Sequence, residues 1–180
     1  RRLAALFCAL MRFELRVASG VIAVTDQLGT YVAKVADRND SVTIPNAANI
    51  DVFRPSAKTS IALPDRYVVF FGTLAPWQGI ATVLEATHLD EWPEGVACVV
   101  AGDGQLRGEV ERAAAKENGS VLYLGKISAQ ELAGIVVHAQ AGLVVCENVQ
   151  GRAQTGLFPL KLFETMACGV PVIVSDFPGM

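Results

Sequence analysis

The sequence predicts an α/β protein with a doubly wound parallel sheet, and three observations carry that prediction. Short runs rich in Val, Ile, Phe and Tyr alternate with helix-length segments from Tyr67 to Val174. The connections between them are short, which favours strand–helix–strand units over hairpins. Glycine recurs where strands should end, at Gly72, Gly102-Asp-Gly104, Gly125 and Gly156. In sheets of this kind ligands bind outside the carboxyl ends of the strands, and glycine lets the backbone approach them closely.

Taken in order, residues 2–18 read as a helix that carries Arg12, Glu14 and Arg16. Arg1-Arg2 before Leu3–Met11 resembles a signal peptide, but the charges follow at once and no small-residue cleavage site closes the run. Val21–Thr25 is a short strand, and Thr25 or Asp26 caps a helix over 27–37. Val42–Pro45 is another strand, and residues 56–65 form a polar linker without periodicity. Beyond it the strands are Tyr67–Phe71, Val96–Ala101, Val121–Leu124, Leu143–Cys146 and Val172–Val174. Helices fall near 79–88, 105–117, 129–139 and 159–168. Ser128-Ala-Gln-Glu131 has the spacing of a capping box and sets the start of the third of these. Val172-Ile-Val is apolar on both faces, as a strand buried in a parallel sheet must be. The chain starts with Arg1 rather than Met and stops just after Asp176-Phe-Pro-Gly179, which reads as a piece of a longer protein.

Composition narrows the function. The 180 residues are 52% hydrophobic and 18% charged, with a net charge of −3, so nucleic-acid binding has no electrostatic support. No apolar run is long enough to span a bilayer. Cys8, Cys98, Cys146 and Cys168 are far apart and form no CxxC pair. They read as buried free thiols in a reducing compartment, which points to the cytoplasm. His88 and His138 are isolated, near helix ends, and read as surface residues rather than metal ligands. No metal site is expected.

The most informative stretch is Gly156-Leu-Phe-Pro-Leu-Lys-Leu-Phe-Glu-Thr-Met-Ala-Cys-Gly169. Pro159 has the fixed φ that suits a first helical position. Leu160, Phe163 and Ala167 recur at three and four and predict the apolar face, with Lys161 and Glu164 on the opposite, polar side. Gly169 ends the helix and Pro171 forbids its return. The backbone of Gly156 to Phe158 therefore leads into a helix N-terminus, where free N–H groups and the dipole favour phosphate.

Pro159-Leu-Lys-Leu-Phe-Glu164, Met166-Ala-Cys-Gly169 and Pro171-Val-Ile-Val174 together resemble the signature of family 4 glycosyltransferases. The resemblance implies a GT-B fold, with two Rossmann-like domains around a cleft, and a helix here that binds a nucleotide-diphosphate sugar. Pro45-Asn-Ala-Ala-Asn-Ile-Asp-Val-Phe53-Arg-Pro55 resembles the segment that closes the first domain of such enzymes, with Ala47 and Asn49 in place of the usual glycine and aspartate. As a plain sequence it is equally a Pro/Asn-rich turn. The implied division is 1–55, the end of the N-terminal domain, and 56–180, the donor-binding domain cut short at its C-terminus. Residues 1–55 should then belong to a different sheet and expose apolar surface.

The resemblance also assigns roles. Phe71-Gly-Thr-Leu-Ala-Pro-Trp-Gln-Gly79 is similar to the family's first phosphate loop, so Gly72, Thr73, Gln78 and Gly79 face the diphosphate. The family's arginine and lysine are replaced by Thr73 and Gln78, which donate hydrogen bonds but carry no charge. Packing of Trp77 in a tight strand–helix loop is the alternative for this segment. Gly102-Asp-Gly104 lacks the third glycine and distant acid of a dinucleotide fingerprint and reads as a structural turn. Gly125, Lys126 and Ile127 resemble the turn whose backbone contacts the donor base. Phe158, Pro159, Leu160 and Lys161 resemble the segment facing sugar or phosphate. Glu164 matches the second glutamate of the family's acidic pair and would accept from the ribose hydroxyls; the first falls on Gly156. One of Lys161, Lys126 and Arg152, with Lys161 foremost, would replace the missing basic pair.

The implied function is glycosyl transfer from a nucleotide-diphosphate sugar to an unknown acceptor, a glycan, lipid or small molecule, with retention of configuration and no required cofactor. Catalytic residues are expected in the N-terminal domain, so this segment alone should be inactive. The same resemblance leaves room for peripheral contact with the inner face of the membrane through that domain. Two other readings stand beside it: a non-catalytic sugar-nucleotide binding protein, favoured by Thr73, Gln78 and Gly156, and another GT-B enzyme such as a nucleotide-sugar epimerase.

Overall fold

A computed structural model describes residues 2–116, 120–148 and 157–180. Its described residues divide into two compact units: 2–46 with 157–158 and 176–180, and 47–148 with 159–175.

The first unit contains α1 (Arg2–Val17), β1 (Val21–Ala23), α2 (Asp26–Ala36) and β2 (Ser41–Thr43). The two strands pair in parallel, Val21 opposite Ser41, as a sheet of their own. Thr25 caps α2, its hydroxyl accepting from Leu28 N–H at 3.0 Å. Arg38 closes the other side: its Nη1 donates to the carbonyls of Leu15 and Ala18, and its fork grips Asp40. Orphan carbonyls at the end of α1 are thereby satisfied. Leu3, Leu6, Phe7, Leu10, Phe13 and Val17 are all exposed along α1, as are Ile22 and Val42 on the strands. Cys8 is exposed too, against the expectation of buried thiols, because it lies on this uncovered helix. Cys98 and Cys168 are buried as expected.

The second unit is a five-stranded, all-parallel sheet with helices on both faces. Its strands are β3 (Tyr67–Thr73), β4 (Ala97–Asp103), β5 (Val121–Gly125), β6 (Ala141–Val144) and β7 (Val172–Val174), in the order β5-β4-β3-β6-β7. Side chains alternate across the central strands. Tyr67, Val69 and Phe71 join Val99, Ala101, Ala133 and Val136 in one core; Phe70 joins Cys98, Val100, Ile80, Val83 and Val110 in the other. Thus α3 (Ile80–Ala86) and α4 (Arg107–Ala114) cover one face, while α5 (Ala129–His138) lies on the other with Cys168, just past α6 (Leu160–Ala167). This is the doubly wound α/β fold the alternation predicts.

The linker is not loose. Gly134 on α5 lies so close to the backbone of Lys58 and Thr59 that a Cβ would overlap it. Ser128 does cap α5, accepting from Glu131 N–H at 3.2 Å. The Glu131 carboxylate, however, accepts from Thr59 Oγ1 at 2.6 Å and from Ser60 Oγ at 2.9 Å. The box spacing fixes the helix start, but its acid is recruited by the linker and held below the usual carboxylate range by those donors. Phe53, reached through a turn in which its N–H donates to Asn49 O at 2.8 Å, is buried in the core of this unit. No helix among the described residues is long and apolar enough to cross a membrane.

Candidate functional site

The strand order reverses once. From β3 the chain steps to β4 and β5 at one edge, then returns to β6 on the other side of β3. At such a switch point the connections leave in opposite directions and open a crevice at the carboxyl ends. Here β3 and β6 are in register only at Val68–Ala141 and Val69–Gly142, whereas β3 and β4 stay paired to Thr73–Asp103. Two groups of residues lie at the carboxyl ends of the strands, one at β3, β4 and β5 and one where the start of α6 meets β3.

The first lines a pocket of about 400 Å³ formed by Gly72, Thr73, Ala101, Gly102, Asp103, Lys126, Ile127 and Leu132. It joins the ends of β3, β4 and β5, so it brings together Gly72, Thr73, Lys126 and Ile127 as a site read from the sequence would need. Gly102 cannot be another residue: its φ is +148°, and a Cβ would overlap the carbonyl oxygen of Gly72. That close approach lets two strand ends form one wall. The sequence gives Gly102 and Asp103 the role of a structural turn. The turn is there, since Asp103 Oδ1 accepts from Gly104 N–H at 2.8 Å, but both residues also line the pocket. The signal lay in their position, level with Gly72 and Thr73 on the neighbouring strand.

The second group centres on Lys161 and Gln78. Pro76–Gln78 is a short 3-10 turn, and Gly79 (φ +72°) starts α3. A Cβ on Gly79 would come within 2.8 Å of the Val145 side chain, so the loop sits tightly against the end of β6. Glu147 reinforces it, its N–H donating to Trp77 O at 3.1 Å and its carboxylate accepting from Thr82 Oγ1 at 3.1 Å. Trp77 is 39% exposed rather than packed in the core.

The face of α6 differs from the sequence reading. Leu160 is exposed, Phe163 and Ala167 are only partly buried, and the buried residues are Lys161, Leu162 and Thr165. The reason is a fitted contact: at Gly142 a Cβ would lie 2.6 Å from Thr165, so β6 accepts the Thr165 side of the helix at close range. Lys161 follows inward, 6% exposed. Its Nζ donates to Gln78 Oε1 at 2.8 Å and lies 4.3 Å from the centre of the Phe70 ring. Burial pulls its pKa down to about 8, with the Cys146 thiol acting weakly the other way. Pro159 stands one place earlier than expected, as the N-cap, with its carbonyl accepting from Leu162 N–H at 3.0 Å. Glu164 is half-buried, and desolvation pushes its carboxyl above the usual range.

Phe158 belongs to the first unit, where its carbonyl accepts from Asn46 Nδ2 at 2.6 Å. Gly156 and Arg152 lie outside the described residues. Gly125 (φ +66°) precedes the pocket residues Lys126 and Ile127. Among the described residues there is no group of three His, Cys, Asp or Glu arranged to hold a metal. A groove of about 490 Å³ between α3 and α4 is lined by residues of these helices and of the turns that follow them, among them Glu85, His88, Arg112 and Lys116. It includes no strand end, and we place the site at the switch point instead.

A family model described as glycosyl transferases group 1 matches residues 65–180. Comparison with curated proteins returns no match. Among solved structures, the chain is similar to sucrose-phosphate synthase from Thermosynechococcus elongatus, at TM-score 0.70 and 22% identity, covering 96% of this chain and 44% of that one. It is similar to Anabaena HepE in complex with UDP-glucose, at TM-score 0.68 and 20% identity, covering 92% and 47%. It is also similar to a point mutant of S. aureus TarM in complex with Fondaparinux, alpha-GlcNAc-glycerol and UDP, at TM-score 0.69 and 17% identity, covering 91% and 31%. At these identities the likeness is one of fold. The chain spans less than half the length of each of these three structures.

Proposed function

The chain belongs to the glycosyl transferases group 1 family, and from that premise we propose that its second unit binds a nucleotide-diphosphate sugar for transfer to an acceptor with retention of configuration, as in family 4. The observation that carries the reading is the switch point. Loop ends of β3, β4 and β5 form one pocket, and the first turn of α6 sets Lys161 over Phe70 of β3, with the half-buried carboxylate of Glu164 three residues further on.

In this reading the backbone at Gly125, Lys126 and Ile127 faces the base, and Glu164 accepts from the ribose hydroxyls. Gly72, Thr73, Gln78 and Gly79 face the diphosphate, with Lys161 as its cation, and Pro159 and Leu160 lead the backbone towards the sugar. Binding donor and acceptor side by side lowers the entropic part of the barrier, and donors aimed at the departing diphosphate stabilise its charge. The acceptor site and the catalytic groups are assigned to the N-terminal domain of such a two-domain enzyme, as is any contact with a membrane. A domain boundary at 55–56, the cytoplasm as compartment and independence from metal belong to the same proposal.

The non-catalytic alternative keeps one observation in its favour. Neither Thr73 nor Gln78 carries charge, and the Gln78 carbonyl is occupied by Lys161. Two measurements decide. Calorimetric titration of the 180-residue chain with UDP, GDP, ADP and TDP should show binding by at least one of them. Radiolabelled sugar transfer by the full-length protein then separates enzyme from binder. No binding by any of the four removes both readings.

A further inference from the structure

Lys161 presents a physical anomaly. An ammonium that is 6% exposed costs several kcal/mol to bury unless an opposite charge answers it. The ion pairs among the described residues are Arg38–Asp40 and Arg107–Glu111, and neither involves Lys161. Its partners among the described residues are an amide oxygen, Gln78 Oε1, and the face of Phe70, both neutral. The nearest acid along the chain before α6, Glu147, is engaged with Thr82. From Asn148 to Phe163 the sequence holds no carboxylate at all. The ammonium has three N–H groups, and Gln78 takes one. It lies at the first turn of α6, over Phe70 of β3.

We infer that Lys161 is the diphosphate-binding residue of this switch point, and that Gln78 is its positioning residue, holding the ammonium in place with a neutral acceptor until a nucleotide diphosphate supplies the counter-charge. The inference rests on the donor-binding reading above and deepens it. It assigns the charge missing from the 72–79 loop to a residue of another element and gives Gln78 a reason to be an amide. A carboxylate at position 78 would satisfy the ammonium permanently and compete with the ligand.

The device is linked to protons. Burial without a counter-charge lowers the lysine to about 8, and a bound diphosphate would raise it again. Below that value the free protein already holds the proton; above it, binding must take one up, so affinity falls as pH rises. Among the described residues, the groups that interact with the Lys161 side chain are Phe70 and Gln78, which do not titrate, and the Cys146 thiol, which burial keeps protonated to higher pH than usual.

The test uses the 180-residue chain, the tightest of UDP, GDP, ADP and TDP, and the matching nucleoside. For the wild type, the ratio of diphosphate to nucleoside affinity, in which ionisation of the base cancels, should fall about 30-fold between pH 7 and pH 9.5, given a free-state midpoint of about 8. Lys161→Met should bind diphosphate weakly with no pH dependence. Gln78→Glu should weaken diphosphate binding and move the Lys161 midpoint, followed by its Cε chemical shift, towards the ordinary lysine range. Cys146→Ser should keep the wild-type profile. Flat pH dependence in the wild type, a ligand-free midpoint in the ordinary lysine range, or Lys161→Met binding like the wild type would each overturn the role of Lys161 while the donor reading stood. No binding by any diphosphate at any pH overturns the donor reading itself.

Discussion

Glu164 and Lys161 show how one helical turn can hold two side chains with opposite relations to solvent. The sequence places both on the polar side of the helix, because charge and spacing are its only guides. Lys161 is buried and Glu164 half-buried, and in each case the missing information was what α6 packs on. The Glu164 carboxyl is pushed up by desolvation, so folding disfavours its charged form. The sign follows: its ionisation costs stability as pH rises through the unfolded value, and a neutral side chain there should fold at least as well at neutral pH. A ribose hydroxyl, by contrast, donates best to the ionised form. Glu164→Gln should therefore leave the melting temperature at pH 7 unchanged or higher, while weakening nucleotide diphosphate binding by about 1.5–3 kcal/mol, the range for a hydrogen bond to a charged group. Parallel thermal melts and calorimetric titrations check this. A melting temperature that falls with binding intact would make Glu164 a structural residue and remove it from the site.

At the scale of elements the sequence was most legible where a local rule suffices. Apolar runs placed all five strands of the large sheet, Thr25 and Ser128 placed two helix starts, and Gly169 with Pro171 placed the end of α6. It was least legible where two periodic sets compete. Leu160, Phe163 and Ala167 are spaced as well for a buried face as Leu162, Thr165 and Cys168, and a glycine on another strand, Gly142, chooses between them. The pocket was half legible for the same reason. Gly72, Thr73, Lys126 and Ile127 carried local signals, whereas Asp103 joins them through β3–β4 register. The linker is a third case: polar and aperiodic, it reads as loose, yet it is fastened across α5. Gly134→Ala should accordingly destabilise the chain by about 1–3 kcal/mol, the usual cost of forcing extra volume into a close contact. Glu131→Ala should cost less, since Thr59 and Ser60 can turn to water. Chemical denaturation of the two variants measures the order. Glu131→Ala as the more damaging change would show that hydrogen bonds, rather than backbone approach, hold the linker.

The two units differ in how completely they cover their own apolar surface. In the second, both faces of the sheet are packed, and the central strands are buried over most of Tyr67–Phe71 and all of Ala97–Ala101, opening only at their carboxyl ends. In the first, Leu3, Leu6, Phe7, Leu10, Phe13 and Val17 recur at three and four along α1 and all lie open. Spacing of that kind makes a continuous stripe, and a continuous apolar stripe exposed to water drives association. The 180-residue chain should therefore self-associate through α1 at micromolar concentration, and Cys8, exposed on the same helix, should yield disulfide-linked species under air oxidation. Replacing Leu6 and Phe13 with glutamate should return the chain to monomer in sedimentation velocity. Because these positions lie in the other unit, nucleotide diphosphate affinity should be unchanged. A monomeric wild type would show that the stripe does not drive association. Loss of nucleotide binding in the double variant would show that ligand binding in the second unit depends on α1.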